Sequence, residues 1–183
     1  FSLIAEPTLE EVVVSARKVD ESVQDVPIAM SVFTSGDIED AGIERPEDFI
    51  ALTPNVVMAN TVNVGDTLVT IRGLTSTRDA ESNFAFVVDG VLQTNPNAFN
   101  RERLDIPQIE VLKGPQCALC GRKATSGAIL ITTKAPSGET ENTAVVGMGV
   151  NNSSKLQYVN SGMMGDNIYT RFSVSTRETD GEH

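Results

Sequence analysis

An α+β fold is what this sequence predicts, with short strands and two short helices first and a series of strands toward its C-terminal end. Three observations point there. Short apolar runs rich in β-branched residues recur between Gly, Pro, Asn and Asp signals over residues 26–136. Two of the segments between them carry helix start and stop signals. After Pro136 the runs change to two-residue alternation of apolar and polar side chains.

Composition narrows the function. The chain has 183 residues, 40% of them hydrophobic, enough for a core, and a net charge of −11. Phosphate binding needs clustered Lys and Arg, so a nucleic-acid partner is not expected. The one histidine is His183 and there are two cysteines, which leaves no material for a Ser-His-Asp triad, a His-based zinc site or a four-thiolate metal site. No metal and no cofactor is expected. No run approaches the ~18 apolar residues of a membrane-spanning helix. Residues 1–5 read either as the stub of a cleaved export signal or as an ordinary frayed end, and the chain is expected to start as a mature or trimmed protein.

Taken in order, Glu10, Glu11, Val12, Val13 and Val14, with Ser15 and Ala16, form a short β-prone segment. Val26-Pro27 leads into a strand over residues 28–33. Ser35 is expected to cap a helix over 37–41, with Gly42 just past its end. Pro46 opens a second helix, with Glu47 and Asp48 in its first turn and Phe49, Ile50 and Leu52 toward the core, stopping before Pro54.

Strands over 55–59 and 67–71 flank a polar loop at 60–66, and the second ends in Ile71-Arg72-Gly73, followed by a polar loop over 74–83. Residues 84–88 form a strand, and Asp89-Gly90 before Val91 is a hairpin signal. Residues 95–101, NPNAFNR, are turn-rich. Ile109, Val111 and Leu112 run into Gly114-Pro115, and a second run covers 128–133. Gly114, Gly121 and Gly127 fall where the chain must reverse or pass close to other backbone.

Beyond a polar linker at 137–142, strands are expected over 143–150, 156–164 and 168–176. In the last, Ile168, Phe172 and Val174 alternate with Tyr169, Arg171, Ser173 and Ser175. Lipid on one side and a wet lumen on the other would give this pattern, and so would a soluble sheet with one wet face.

Three motifs stand in one order: I-R-G at 71–73, F-V-V-D-G-V at 86–91, and L-K-G-P-Q-x-A-L-x-G-R-x-A-T-x-G-A-I-x-I-x-T-K at 112–134. Together they resemble TonB-dependent outer-membrane receptors, over about residues 10–136. The resemblance implies an α+β plug domain, a small mixed β-sheet with short helices, followed by the first antiparallel strands of a transmembrane β-barrel. The implied boundaries are residues 1–20 for an N-terminal segment, 21–136 for the plug and 137–183 for the barrel strands. A barrel that holds a plug has about 22 strands of about 10 residues, and three open strands would leave edge N–H and C=O groups unsatisfied in lipid. The chain is therefore expected to be the N-terminal part of a longer receptor, or a truncated product of one.

By the same resemblance, Glu10, Glu11, Val12, Val13 and Val14 look like a TonB box, the extended peptide that periplasmic TonB adds to its own sheet; the plain alternative is an edge strand. Arg72 and Arg122 match the arginines that lock plug to barrel through acidic partners, the alternative being solvated charges. The loop bearing Asn95, Asn97, Phe99 and Asn100 corresponds to one facing the external ligand. Cys117 and Cys120 stand where the family usually has Gly and an aromatic residue. This C-x-x-C pair reads as a local disulfide, then as free thiols, and last as a redox pair.

The implied function is energy-coupled import of a scarce ligand of the iron-siderophore type across the outer membrane of a Gram-negative cell. Its partners would be TonB with the inner-membrane proton-motive complex, outer-membrane lipid and the small-molecule ligand, and it would not be an enzyme. The competing readings are a free-standing periplasmic plug-like binding protein and a thiol oxidoreductase using Cys117 and Cys120.

Overall fold

The computed structural model describes residues 12–14, 21–24, 26–60, 67–75, 82–94, 99, 106–116, 124–149, 152–165 and 167–180. The chain divides into two compact units, Phe1–Thr133 and Lys134–His183.

In the first unit, β1 (Val13–Val14) and β2 (Glu21–Ser22) pair antiparallel, followed by β3 (Met30–Thr34), α1 (Ser35–Asp40) and α2 (Pro46–Ala51). Next come β4 (Val56–Asn60), β5 (Thr67–Ile71), β6 (Leu74–Thr75), β7 (Phe84–Val88), β8 (Val91–Leu92), β9 (Gln108–Lys113) and β10 (Gly127–Thr132). The main sheet has the order β3-β9-β10-β7-β8, and β4-β5-β6 form a second, three-stranded sheet. The main sheet is mixed: β10 runs parallel to β7 and antiparallel to β9.

Alternation along the central strands sends side chains to two cores. On one face Ile109, Val111, Ile129, Ile131, Phe84 and Phe86 meet Phe49 and Ile50 of α2 and Val56, Val69 and Ile71 of the smaller sheet. The other face is lined by smaller groups, Ala85, Val87, Leu112, Ala124 and Ala128. Gly127 is required by close approach: a Cβ there would run into the carbonyl oxygen of Leu112 and touch Ile71.

Three expectations are corrected. Thr34, not Ser35, caps α1: its N–H donates to Asp37 Oδ2 at 2.9 Å, and the Asp37 N–H donates to Thr34 Oγ1 at 3.4 Å. Both residues are good caps, and Asp37 three residues after Thr34 closes a capping box that starts the helix at Ser35 rather than at 37. Leu52 does not face the core; as the C-cap of α2 it is 53% exposed, because the helix ends at Ala51. Residues 74–75 are not loop but strand β6, since Arg72 (φ 51) and Gly73 (φ 80) form a two-residue hairpin turn joining Ile71 to Leu74.

That turn has the two positive φ angles of a type I′ hairpin, as does the expected turn at Asp89 (φ 49) and Gly90 (φ 77) between β7 and β8. Asp89 is tied down: its carboxylate accepts from Thr133 N–H at 2.7 Å and from Thr133 Oγ1 at 2.9 Å.

The second unit is an antiparallel meander of β11 (Glu141–Met148), β12 (Ser154–Met164) and β13 (Ile168–Glu178), an open three-stranded sheet. Register places Glu141, Ser161 and Arg171 side by side on one face, and Ala144, Tyr158 and Val174 side by side on the other. The Glu141 carboxylate receives Lys134 Nζ at 2.7 Å and Arg171 Nη1 at 3.1 Å. The opposite face presents Val146, Leu156, Ile168, Phe172 and Val174, all exposed.

Candidate functional site

The valine segment is a strand because β-branched side chains favour extended backbone, and β2 gives it one hydrogen-bonded edge. The register pairs Val13 with Ser22 and Val14 with Glu21, and the Val23 N–H donates to the Val12 carbonyl at 3.0 Å. In an antiparallel pair such bonded positions alternate. Val13 therefore points its N–H and C=O away from β2, toward the open edge. Its carbonyl accepts a 2.9 Å hydrogen bond from Gln108 Nε2, which also lies 3.1 Å from Glu110 Oε1. The Val14 side chain is buried, Val13 is half-exposed, and Glu110 is buried.

At Ile71-Arg72-Gly73 the backbone is fixed by the hairpin and by the Arg72 N–H, which donates to the Asn55 carbonyl at 2.9 Å. The guanidinium reaches the end of β9, where a Cβ on Gly114 would sit 3.3 Å from Arg72 Nη1. Gly114, at φ 113, donates its N–H to Ser126 O at 2.9 Å, so the left-handed turn and the open space beside Arg72 both need glycine. Lys113 is the next cation. Burial, and then the charge of Arg72, push its ammonium below the usual lysine range. Among the described residues neither Arg72 nor Lys113 has an ion-pair partner, and the two cations are suited to an anionic group.

Phe99, expected in an outward ligand-facing loop, turns inward. It is 4% exposed and meets the rings of Phe49, Phe84 and Phe86 edge-on at centroid distances of 6.4, 5.3 and 5.0 Å. The polar sequence around it hides a core aromatic. Glu10, Glu11, Arg122, Asn95, Asn97, Asn100, Cys117 and Cys120 lie outside the described residues. Two residues of the site were not singled out from sequence. Lys113 lay inside the L-K-G-P motif without a role, and Gln108 carried no local signal, since only tertiary packing brings it to Val13. Among the described residues no helix is long and apolar enough to cross a membrane, a statement that does not bear on strands.

The first unit is thus a mixed sheet with short capped helices, preceded by a short valine strand and carrying Arg72 on a tight turn. The TonB-dependent receptor plug domain family matches residues 22–128, more than half of the chain, and the chain belongs to that family. Among its relatives are the vitamin B12 transporter BtuB of Vibrio vulnificus, 28% identical over 95% of this chain and 28% of its own length. The pesticin receptor of Yersinia enterocolitica is 25% identical over 97% of this chain and 26% of its own length. The chain thus spans about a quarter of the length of these relatives.

Solved structures share the fold. The ferric yersiniabactin uptake receptor FyuA of Yersinia pestis aligns over 83% of this chain and 24% of its own, with a TM-score of 0.74 and 24% identity. The pyoverdine receptor FpvA of Pseudomonas aeruginosa, bound to pyoverdine, aligns over 91% of this chain and 24% of its own, at 0.78 and 18%.

Proposed function

We propose that this chain is the plug and first barrel strands of a TonB-dependent receptor that imports a scarce ligand of the iron-siderophore type across the outer membrane of a Gram-negative cell. The observation that carries the reading is the family match over residues 22–128, preceded by a valine strand whose open-edge main-chain groups belong to Val13. The names of FyuA and FpvA support an iron chelate; that of BtuB marks vitamin B12 as the competing cargo.

In this mechanism the chain does no covalent chemistry. Ligand on the outer face shifts a two-state equilibrium so that the segment of Glu10, Glu11, Val12, Val13 and Val14 becomes available below, where TonB adds it as a strand. Force derived from the inner-membrane proton gradient then loosens the plug. Arg72, with Arg122, holds plug to barrel through carboxylates of the wall, and Lys113 lends its charge to the same anions. Asn95, Asn97 and Asn100 face the ligand. Cys117 and Cys120 form a local disulfide, which alkylation without reductant, read by mass, checks: uptake of two labels contradicts it.

The deciding experiment is uptake by source cells carrying the complete receptor, offered an iron-loaded siderophore mixture or labelled vitamin B12, with and without a proton-gradient uncoupler. Uncoupler-sensitive iron uptake that disappears in Val13→Pro is expected, because proline removes the strand N–H at the open edge. Uptake unaffected by Val13→Pro overturns the TonB-box assignment, and uptake of vitamin B12 alone overturns the ligand class.

A further inference from the structure

The valine strand has two edges: β2 pairs with one, and among the described residues the other meets no strand, only a side chain. One is hydrogen-bonded to β2 through Val12 and Val14. On the other edge, Val13 offers one N–H and one C=O, and the C=O is already taken by the side-chain amide of Gln108 at 2.9 Å. A strand added to this edge needs that same carbonyl as an acceptor. The Gln108 amide therefore occupies the edge position from which a partner strand would donate to Val13.

We propose that Gln108 is a latch on the partner-binding strand, holding Val13 closed to β-augmentation until the amide swings away. The inference rests on the TonB-box reading above and adds its regulation. Three features suit Gln108 to the task. It sits at the first position of β9, the strand whose far end carries Lys113 and borders the Arg72 turn, so one rigid strand connects the latch to the cation pair. A primary amide donates without carrying charge, so the bond is neutral and can be exchanged for a main-chain donor of equal kind. The same nitrogen lies 3.1 Å from Oε1 of Glu110, a buried carboxylate that fixes the amide with its NH₂ toward Val13 rather than its oxygen. The latch is thus aimed by a residue that no partner strand can reach.

Two substitutions test it in the 183-residue chain. Gln108→Ala removes the donor. Gln108→Glu keeps the shape but turns an acceptor toward the Val13 carbonyl and the Glu110 carboxylate. Amide hydrogen exchange of Val12 and Val14 reads whether the strand is held, and titration with the TonB C-terminal domain reads whether the edge is free. A synthetic peptide of residues 6–18, which has no latch, serves as the reference, and the melting temperature of each variant reports the global fold.

Exchange is expected to quicken and TonB affinity to rise roughly three- to tenfold in Gln108→Ala, the loss of one neutral hydrogen bond, and further in Gln108→Glu, approaching the peptide. Exchange unchanged in both variants overturns the latch. So does a peptide that binds while wild type and both variants bind with equal affinity. A peptide that fails to bind overturns the TonB-box reading instead, and the exchange rates still decide whether Gln108 holds the strand.

Discussion

Phe99 and Phe172 are the same residue in two regions that treat it in opposite ways. In the first unit Phe99 is 4% exposed among three other rings; in the meander Phe172 is 61% exposed on a face with Val174 and Ile168. The first unit gathers an apolar core between its own sheets and helices, whereas the meander leaves Val146, Leu156, Phe172 and Val174 exposed on one face, with Asn142 and Asn160 beside Phe172. An exposed apolar face of this extent marks a contact surface, and strands with one such face and one polar face are the pattern of a barrel wall. One unit carries its core within itself. The other keeps most of its large apolar side chains at its surface.

The sharpest way to break that contrast is a matched pair of substitutions. Phe99→Ala is expected to destabilise the first unit by about 3–5 kcal/mol. Phe172→Ala is expected to stay within about 0.5 kcal/mol in water. Chemical denaturation followed separately in the two units measures both, and a large loss from Phe172→Ala in water would mean that the apolar face is already covered. A somewhat smaller effect, about 2–3 kcal/mol, is expected for Gly127→Ala, because the new methyl meets the Leu112 carbonyl and can be relieved only by moving β9 from β10. Unfolding midpoints that match wild type would contradict the close approach of these strands.

Thr34→Ala sharpens the claim that the first unit is self-sufficient, at about 1 kcal/mol. Its pH dependence has a definite sign. Hydrogen bonds from the Thr34 backbone and side chain hold the Asp37 carboxyl below the usual carboxylate range. The stabilisation is therefore present at neutral pH and lost as pH falls through the lowered value, where the folded form finally takes up the proton. Acid titration of stability should be somewhat shallower in Thr34→Ala, which loses the hydroxyl but keeps the backbone N–H on Asp37; equal slopes would mean that the backbone bond alone holds the carboxyl down. The smallest effect belongs to Arg72→Ala, within about 0.5 kcal/mol and of stabilising sign in the 183-residue chain, because it relieves the like charge beside Lys113. A clear loss of stability would show that Arg72 already has an anionic partner within this chain.

Much of this was legible in the sequence, for reasons particular residues make plain. Runs such as 109–112 and 128–133 were read as strands because β-branched residues fill them between turn signals, and Asp89-Gly90 announced its hairpin by composition. Arg72-Gly73 makes the same turn with a residue seldom found at positive φ, so the pattern that found one hairpin missed the other. The polar neighbourhood of Phe99 predicts exposure of the loop, not of each side chain in it. Leu52 was misplaced by one helical position, and Thr34 and Ser35 are nearly equivalent caps. Gln108 and Lys113 owe their surroundings to strand pairing across long stretches of sequence, which no local pattern encodes.

The order of strands in the main sheet also fixes an order of events. Strand β10, the last in sequence of the five, lies in the middle, with β9 and β3 on one side and β7 and β8 on the other. Until residues 127–132 arrive, β9 and β7 have no neighbour in common, and the two halves of the sheet are unconnected. Before that the chain can form β3 with β9 and the β7–β8 hairpin only as separate pieces, and joining them through β10 closes long loops, a topology of the slower-folding kind. A ribosome or translocase releasing this chain from its N-terminus therefore delivers a largely open first unit, which becomes a single cooperative body only when Thr132 is free.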